Sequence, residues 1–474
     1  MLFDSFDFFV FFPMVAVLYF LLPHRFRCIH LLVASCIFYM AFIPQYILIL
    51  FLLIGVDYAA GILIESTHGS RRKWYLAISL VSNIGILAFF KYYNFFAGNL
   101  NAVFHDIPLL RIALPIGLSF HTFQAMSYTI EVYRGNQKAE RHLGIYALYV
   151  MFFPQLVAGP IERPQNVLHQ YREKKTFDYQ SVKSGLGLML WGLFKKAVIA
   201  DRLAYFTDMV FNHPQQYGWS SLVIGVVFFS FQIYCDFSGY SDIALGSARV
   251  LGFKLMRNFD APYESRSIAE FWKRWHISLS TWFRDYLYIP MGGNRVAVPR
   301  WYFNLLFVFV VSGFWHGANW TFLIWGALHG FYLILAIVTQ KWRDRLTAVL
   351  GINRVKWLYD GIQVVSTFSL VAFAWIFFRA NNLSDALYMA RGVLRPLRTK
   401  GASIINQVGL STLAMSGMLI LGMLLVEFAN RRRNLELRLQ SYPKVYRWGV
   451  YYVLLVALIS LSVYTKRYFI YFQF

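Results

Sequence analysis

WYFNLLFVFVVSGFWHGANWTFLIWGALHGFYLILAIVTQ, residues 301–340, contains no Asp, Glu, Lys or Arg. Two apolar runs, near 302–316 and 320–339, meet at a point that holds Gly313, His316, Gly317 and Asn319. Each run approaches the ~20 apolar residues that a helix needs to cross a bilayer. The stretch therefore predicts two membrane helices joined by a hairpin near one membrane face. Taken alone, His316 reads most simply as a helix-end histidine donating one hydrogen bond to a carbonyl. Ionisable groups inside membranes are nonetheless functional candidates, because burying them is costly.

The same pattern extends outward. Further apolar runs lie near 8–22, 29–43, 46–64, 74–97, 108–130, 143–160, 185–200, 220–237, 357–378, 409–428 and 448–465. The 474 residues are 58% hydrophobic and 14% charged, with a mean hydropathy of +0.48. Soluble domains carry about 25% charged residues, so this chain lacks the polar surface to cover a soluble globule. It reads as an all-α polytopic membrane protein. At about 20 residues per span, its length allows on the order of ten to thirteen helices. No repeat, low-complexity tract or soluble insert interrupts it, so residues 1–474 are expected to form one membrane-embedded domain. The loops 161–184 and 379–408 are long enough to carry short interfacial helices.

The formal net charge is +22. The basic residues sit between apolar runs, as SRRK (70–73), YREKK (171–175), QKWRDR (340–345) and NRRRN (430–434). That is the distribution of positive-inside loops resting on anionic lipid. No basic face is gathered on a soluble domain, which excludes nucleic acid as a partner. Asp4 and Asp7 precede the first run, and His24, Arg25 and Arg27 follow it. This flank is wrong for a signal peptide. It favours a retained first helix with the N-terminus outside the cytoplasm. Cys28, Cys36 and Cys235 lack metal-ligand spacing and read as structural thiols, with no metal site expected.

Residues 265–295, SRSIAEFWKRWHISLSTWFRDYLYIPMGGNR, break the pattern. Trp272, His276, Leu279 and Phe283 share one face at helical spacing. Glu270, Lys273, Arg274, Arg284 and Asp285 make the segment too charged to span lipid. It is expected at the interface or facing a wet cavity, and Pro290–Asn294 predicts its stop.

For His316, an apolar shell favours the neutral imidazole, the form able to take a proton from an alcohol. Gly313 and Gly317 permit close approach, and Asn319 offers an amide donor and acceptor. His276 is the second candidate, readable equally as a histidine packed among tryptophans. No GxSxG elbow and no Gly-rich phosphate loop appears. Asp236 and Asp242, six residues apart, would not share a helix face. They read as buried acceptors tying a broken helix at Ser238, Gly239 and Ser241, or as an ion or proton path. His121 and His329 read as satisfied core histidines.

Five stretches together resemble the membrane-bound O-acyltransferase (MBOAT) family, in its bacterial branch of alginate and other polysaccharide O-acetyltransferases. They are LPIGLSFHTFQAMSY (114–128), FFPQLVAGPIERP (152–164), YCDFSGYSDIALG (234–246), FWKRWHISLSTWFRDYLYIPMGGN (271–294) and VSGFWHGANWTFLIWG (311–326). The opening residues and the aromatic C-terminus are also similar. His121 stands where this family more often has an aromatic.

The resemblance implies a bundle of about eleven or more helices around a central tunnel. It places His316 deeper than a hairpin at one face, lining the tunnel, and makes it the catalytic histidine, with His276 its companion on the transfer path. His316 would act as base on an acceptor hydroxyl, or itself attack the thioester and carry the acyl group. Trp315, Asn319, Trp275 and Asp236 are expected to line the substrate tunnel. No tightly bound cofactor is expected. The donor would be an acyl thioester, acetyl-CoA or an acyl carrier, approaching from the cytoplasm. The acyl group would reach an exported polysaccharide such as alginate, with an extracytoplasmic SGNH-type acetyltransferase, the polysaccharide machinery and membrane lipids as partners. The location implied is the bacterial inner membrane. The rival reading is a transporter or channel for acyl donor or polysaccharide, with histidines and aspartates as relay.

Overall fold

The computed structural model describes residues 1–157, 159–395, 401–433, 442–463 and 469–470. Residues 396–400 of the 379–408 loop, Asn434 with the side chains of Arg432 and Arg433, the 464–465 end of the last apolar run and most of the aromatic C-terminus lie outside the described residues. Among the described residues the secondary structure is helical, with no strand and one isolated bridge between Tyr217 and Ala402.

Eight described helices are long and apolar enough to cross a membrane: Pro44–Ser66, Ser70–Leu100, Trp219–Val250, Val298–His316, Trp320–Val338, Lys356–Arg379, Leu410–Arg431 and Lys444–Leu461. Other apolar runs give shorter helices, Phe6–Leu21, His24–Met40, Leu118–Arg134 and Tyr179–Leu193. Prolines account for part of the shortening. The 108–130 run becomes helical only at Leu118, after Pro115, and the 143–160 run is broken at Phe152, two residues before Pro154, into Leu143–Met151 and Phe153–Leu156. Short helices do occupy the two long loops, at Pro164–Val167 and Leu383–Leu394.

The chain folds into two compact units, Met1–Leu193 with Tyr240–Arg257, and Phe194–Gly239 with Asn258–Phe474. In the first, the helices Ile47–Ser66, Ser70–Leu87 and Leu118–Arg134 pack together around a buried polar knot. The Asp57 carboxylate accepts from the Ser79 hydroxyl at 2.6 Å and from Asn83 Nδ2 at 2.9 Å.

Trp219–Val250 is one continuous helix of 32 residues, about 48 Å long at 1.5 Å per residue. The break expected at Ser238, Gly239 and Ser241 does not occur. One glycine costs about 1 kcal/mol in a helix interior and removes no backbone donor, unlike proline. Residues up to Gly239 belong to the second unit, and those from Tyr240 to the first. Asp236 and Asp242 therefore belong to different units.

In the second unit, Val298–His316 and Trp320–Val338 form the expected hairpin. A Cβ at Gly313 would overlap the Phe322 carbonyl, and one at Gly326 the Phe309 carbonyl. The two helices therefore touch backbone to backbone, and the helix Lys356–Arg379 packs on the second of them.

The segment 265–295 departs from the single helical face expected of it. It forms two short helices, Ile268–Arg274 and Ile277–Phe283, and then a π turn, Arg284–Tyr288. The chain turns at His276, whose φ of 43° is left-handed. Backbone groups freed at the break are taken by residues 258–260. Ile277 N–H donates to the Asn258 carbonyl at 2.9 Å, and Asp260 N–H donates to the Arg274 carbonyl at 3.0 Å. Ser278 N–H donates to Asn258 Oδ1 at 3.3 Å. Long-range bonding overrides a pattern that local spacing alone satisfies.

Candidate active site

His316 is the last residue of the helix Val298–His316 and is 3% exposed. Its ring meets Trp325 nearly perpendicularly at 5.1 Å between centroids, Phe378 at 5.3 Å and Trp315 at 4.9 Å. A Cβ at Gly317 would overlap the Phe322 ring, so a larger residue here would have to displace that ring. Asn319 starts the next helix, its Oδ1 accepting the Thr321 N–H at 3.1 Å. That acceptor is engaged in capping the helix, a local role the sequence did not assign to it.

His276 is fully buried, and burial pushes its pKa down to about 3, so the ring is neutral at physiological pH. It stands edge-on to Phe237 at 4.7 Å and lies 6.4 Å from Trp315. Trp315 is thus in ring contact with both imidazoles. Trp275 continues the wall. It stacks on Phe271 at 5.5 Å and lies 5.0 Å from Trp375, which stacks on Trp325 at 5.6 Å. All these residues belong to the second unit. The structure therefore brings together His316, His276, Trp315 and Trp275.

Asp236 is placed differently. Its carboxylate forms an ion pair with Lys196 at 2.7 Å and accepts the Ile470 N–H at 2.8 Å. Lys196 also pairs with Asp201 at 2.8 Å. Reading 185–200 as a plain apolar run passed over two buried lysines, Lys195 and Lys196. The signal was available: an adjacent lysine pair inside an apolar run, with an acid five residues after the second.

His329 is buried as expected but only half satisfied. Trp272 Nε1 donates to its Nδ1 at 3.3 Å, and its Nε2 has no partner among the described residues. Its ring is 5.1 Å from Trp325, which also touches His316. The four-residue spacing of Trp325 and His329 placed them on one helix face. In the first unit His121 likewise bonds the Val150 backbone, while its Nε2 has no partner among the described residues.

A cavity of about 410 Å³ opens in the second unit, lined by Trp272, Lys273, Ile277, Arg284, Val308 and Ser312 among others. Its wall is largely apolar, and Lys273 and Arg284 are exposed. Ser312 lies about one helical turn before His316. Among the described residues no three His, Cys, Asp or Glu side chains converge.

The model of the membrane-bound O-acyltransferase family matches residues 141–379, which take in the His276 and His316 stretches. A probable alginate O-acetylase of Pseudomonas aeruginosa is 37% identical over 444 residues, covering 91% of this chain and 82% of its own. A peptidoglycan O-acetyltransferase of Helicobacter pylori is 37% identical, covering 77% of this chain and 73% of its own. A teichoic acid D-alanyltransferase of Bacillus subtilis is 27% identical, covering 56% of this chain and 68% of its own.

Proposed function

Because the chain belongs to the membrane-bound O-acyltransferase family, we propose that it passes an acetyl group from a cytoplasmic thioester donor to an exported polysaccharide. Two of the similar proteins are named for O-acetylation, of alginate and of peptidoglycan, and this supports acetyl as the group and a polysaccharide as its destination. Acetyl-CoA or an acyl carrier would serve as donor substrate, with no cofactor held tightly. The cavity lined by Trp272, Ile277 and Ser312 suits such a donor, its apolar wall for the acyl arm and Lys273 and Arg284 for phosphate, although neither imidazole lines it.

The observation that carries the mechanism is the pair of buried imidazoles in contact with one indole. In this reading His316 takes the proton of the acceptor hydroxyl. The oxygen attacks the thioester carbonyl, the C–S bond breaks, and His316 returns the proton to the leaving thiolate. Atoms and charge balance with no further reactant. A neutral imidazole carries one N–H, and we assign that of His276 to the developing oxyanion. Trp315 and Trp275 would shape the path, while Asn319 holds the turn that presents His316.

The whole of 1–474 would act as one membrane-embedded domain, since the family match runs through parts of both compact units. The protein would reside in the bacterial inner membrane. An extracytoplasmic SGNH-type acetyltransferase and the polysaccharide machinery would complete the transfer. The transporter reading drew on Asp236 and Asp242 as a relay. The Lys196 ion pair gives Asp236 another task, and this weakens that reading.

The test is polysaccharide O-acetyl content in cells carrying wild type, His316→Ala or His276→Ala at matched membrane levels. Loss of O-acetyl groups with His316→Ala is the expected result. Full acetylation in that variant would remove His316 from the mechanism and return the transporter reading to the front.

A further inference from the structure

Lys195 and Lys196 are 3% and 1% exposed, in a π turn spanning Phe194–Ala200. Charge is rarely placed so deep without a task, and π turns recur at functional sites. Each lysine reaches the long helix Trp219–Val250. Lys196 Nζ pairs with Asp236 at 2.7 Å, and Lys195 Nζ donates to the Ser238 hydroxyl at 2.8 Å. Lys195 also lies over the Tyr234 ring at 5.8 Å.

The residue between those two anchors is Phe237, whose ring stands 4.7 Å from His276. Tyr234, one turn earlier, lies 6.1 Å from Trp275. At 3.6 residues per turn, Asp236 and Ser238 project about 200° apart around the axis, with Phe237 between them. Two bonds from such different directions fix the rotation of the helix, and with it the aim of Phe237. His276 needs this kind of support. Its left-handed φ of 43° is unfavourable for a non-glycine residue and persists only where surrounding contacts over-determine it.

We propose that Lys195 and Lys196, through Ser238 and Asp236, are positioning residues for His276. They hold Phe237 where it keeps the strained histidine in its working orientation. They do not touch substrate. The inference rests on the reading of His276 as a participant in acyl transfer.

The test is a double-mutant cycle in cells, read as the initial rate at which labelled acetate enters polysaccharide O-acetyl groups, at matched membrane levels. Ser238→Ala and Asp236→Asn should each slow incorporation by about fivefold to tenfold, as expected for a lost hydrogen bond at a positioned group. Ser238→Thr, which keeps the hydroxyl, should restore the rate. In a His276→Gln background the same two substitutions should slow it less than about twofold, because residues acting through one group are non-additive. Equal fold losses in both backgrounds would overturn the proposal and leave the lysines a stability role.

If His276→Gln leaves too little rate to measure, the geometry decides. With cysteines at 237 and 276, a short thiol cross-linker should join them several-fold more slowly once Lys196→Met is added. An unchanged cross-linking rate would overturn the proposal. Full acetylation in His276→Gln with His316→Ala inactive would also overturn it and leave the acyl-transfer reading standing. Full acetylation in His316→Ala would instead overturn that reading.

Discussion

His316 and His276 are both buried imidazoles in ring contact with Trp315, yet they are held by opposite means. His316 ends a regular helix, and its direction is set by the hairpin that Gly313 and Gly326 close backbone to backbone. His276 sits at the gap between two short helices, in a left-handed conformation, held by Asn258 and Phe237 from distant parts of the sequence. The first arrangement is local and unstrained, and an error in it would displace the whole hairpin. The second is assembled from long-range contacts and stores strain, so it fails one contact at a time.

The sharpest way to break the comparison is to remove each ring. His316→Ala should reduce O-acetyl transfer by about 10²–10⁴-fold, the usual worth of a positioned general base. His276→Ala should cost less, since a lost oxyanion donor is worth about 10²–10³-fold. The measurement is the labelled-acetate rate at matched protein level. Equal losses would show that the two rings form one catalytic unit.

Next in size is the hairpin itself. Gly313→Leu would force its side chain into the Phe322 carbonyl and part the helices. A displacement of about 1 Å at a catalytic group can cost 10²-fold. The expected result is a loss near that size with the protein still present in the membrane. A variant at full rate would show that His316 is not aimed by hairpin closure.

How much of this was legible follows from the same contrast. The hairpin was written locally, as an uncharged stretch with glycines where it turns, although the cap that Asn319 supplies there was not read from it. The His276 break was not, because Trp272, Leu279 and Phe283 keep helical spacing on either side of it. Only the backbone bonds to residues 258–260, far from it in the chain, show where the helix stops. Asp236 was legible as a buried acid, but its partner lies forty positions earlier on a π turn that no periodicity marks. The spans were legible as apolar runs. Prolines at 115 and 154 then shortened some of the helices inside them.

Acid should register the burial of His276 as a loss of stability. With burial lowering the His276 pKa to about 3, the unfolded chain, near 6.5, binds the extra proton first. Stability contributed by neutral His276 is therefore present above pH 6.5 and is lost as pH falls below it. At pH 5 the loss should be on the order of 2 kcal/mol, at 1.36 kcal/mol per unit. His276→Phe should flatten the fall in melting temperature between pH 7 and 5. An unchanged slope would mean that His276 is reached by protons in the folded state.

The smallest effect is the most direct test of how each residue is held, because its sign should reverse. Glycine is destabilising by roughly 0.5–1 kcal/mol relative to alanine in the middle of a helix, and by less at a helix end such as His316. His316→Gly should therefore melt below His316→Ala. At His276 the backbone is left-handed, and alanine there carries a Cβ penalty of about 1–2 kcal/mol that glycine does not. His276→Gly should melt above His276→Ala. The shift in each direction is about 1–3 °C, given that 1 kcal/mol moves a chain of 150–250 residues by about 2–4 °C and a longer one by less. The comparison uses purified protein in one detergent at one pH, so that differences in solubilisation cancel within each pair. If glycine lowers the melting temperature at both positions, the strain at His276 relaxes once its ring is gone. Phe237 and Asn258 would then be holding the ring, not the backbone.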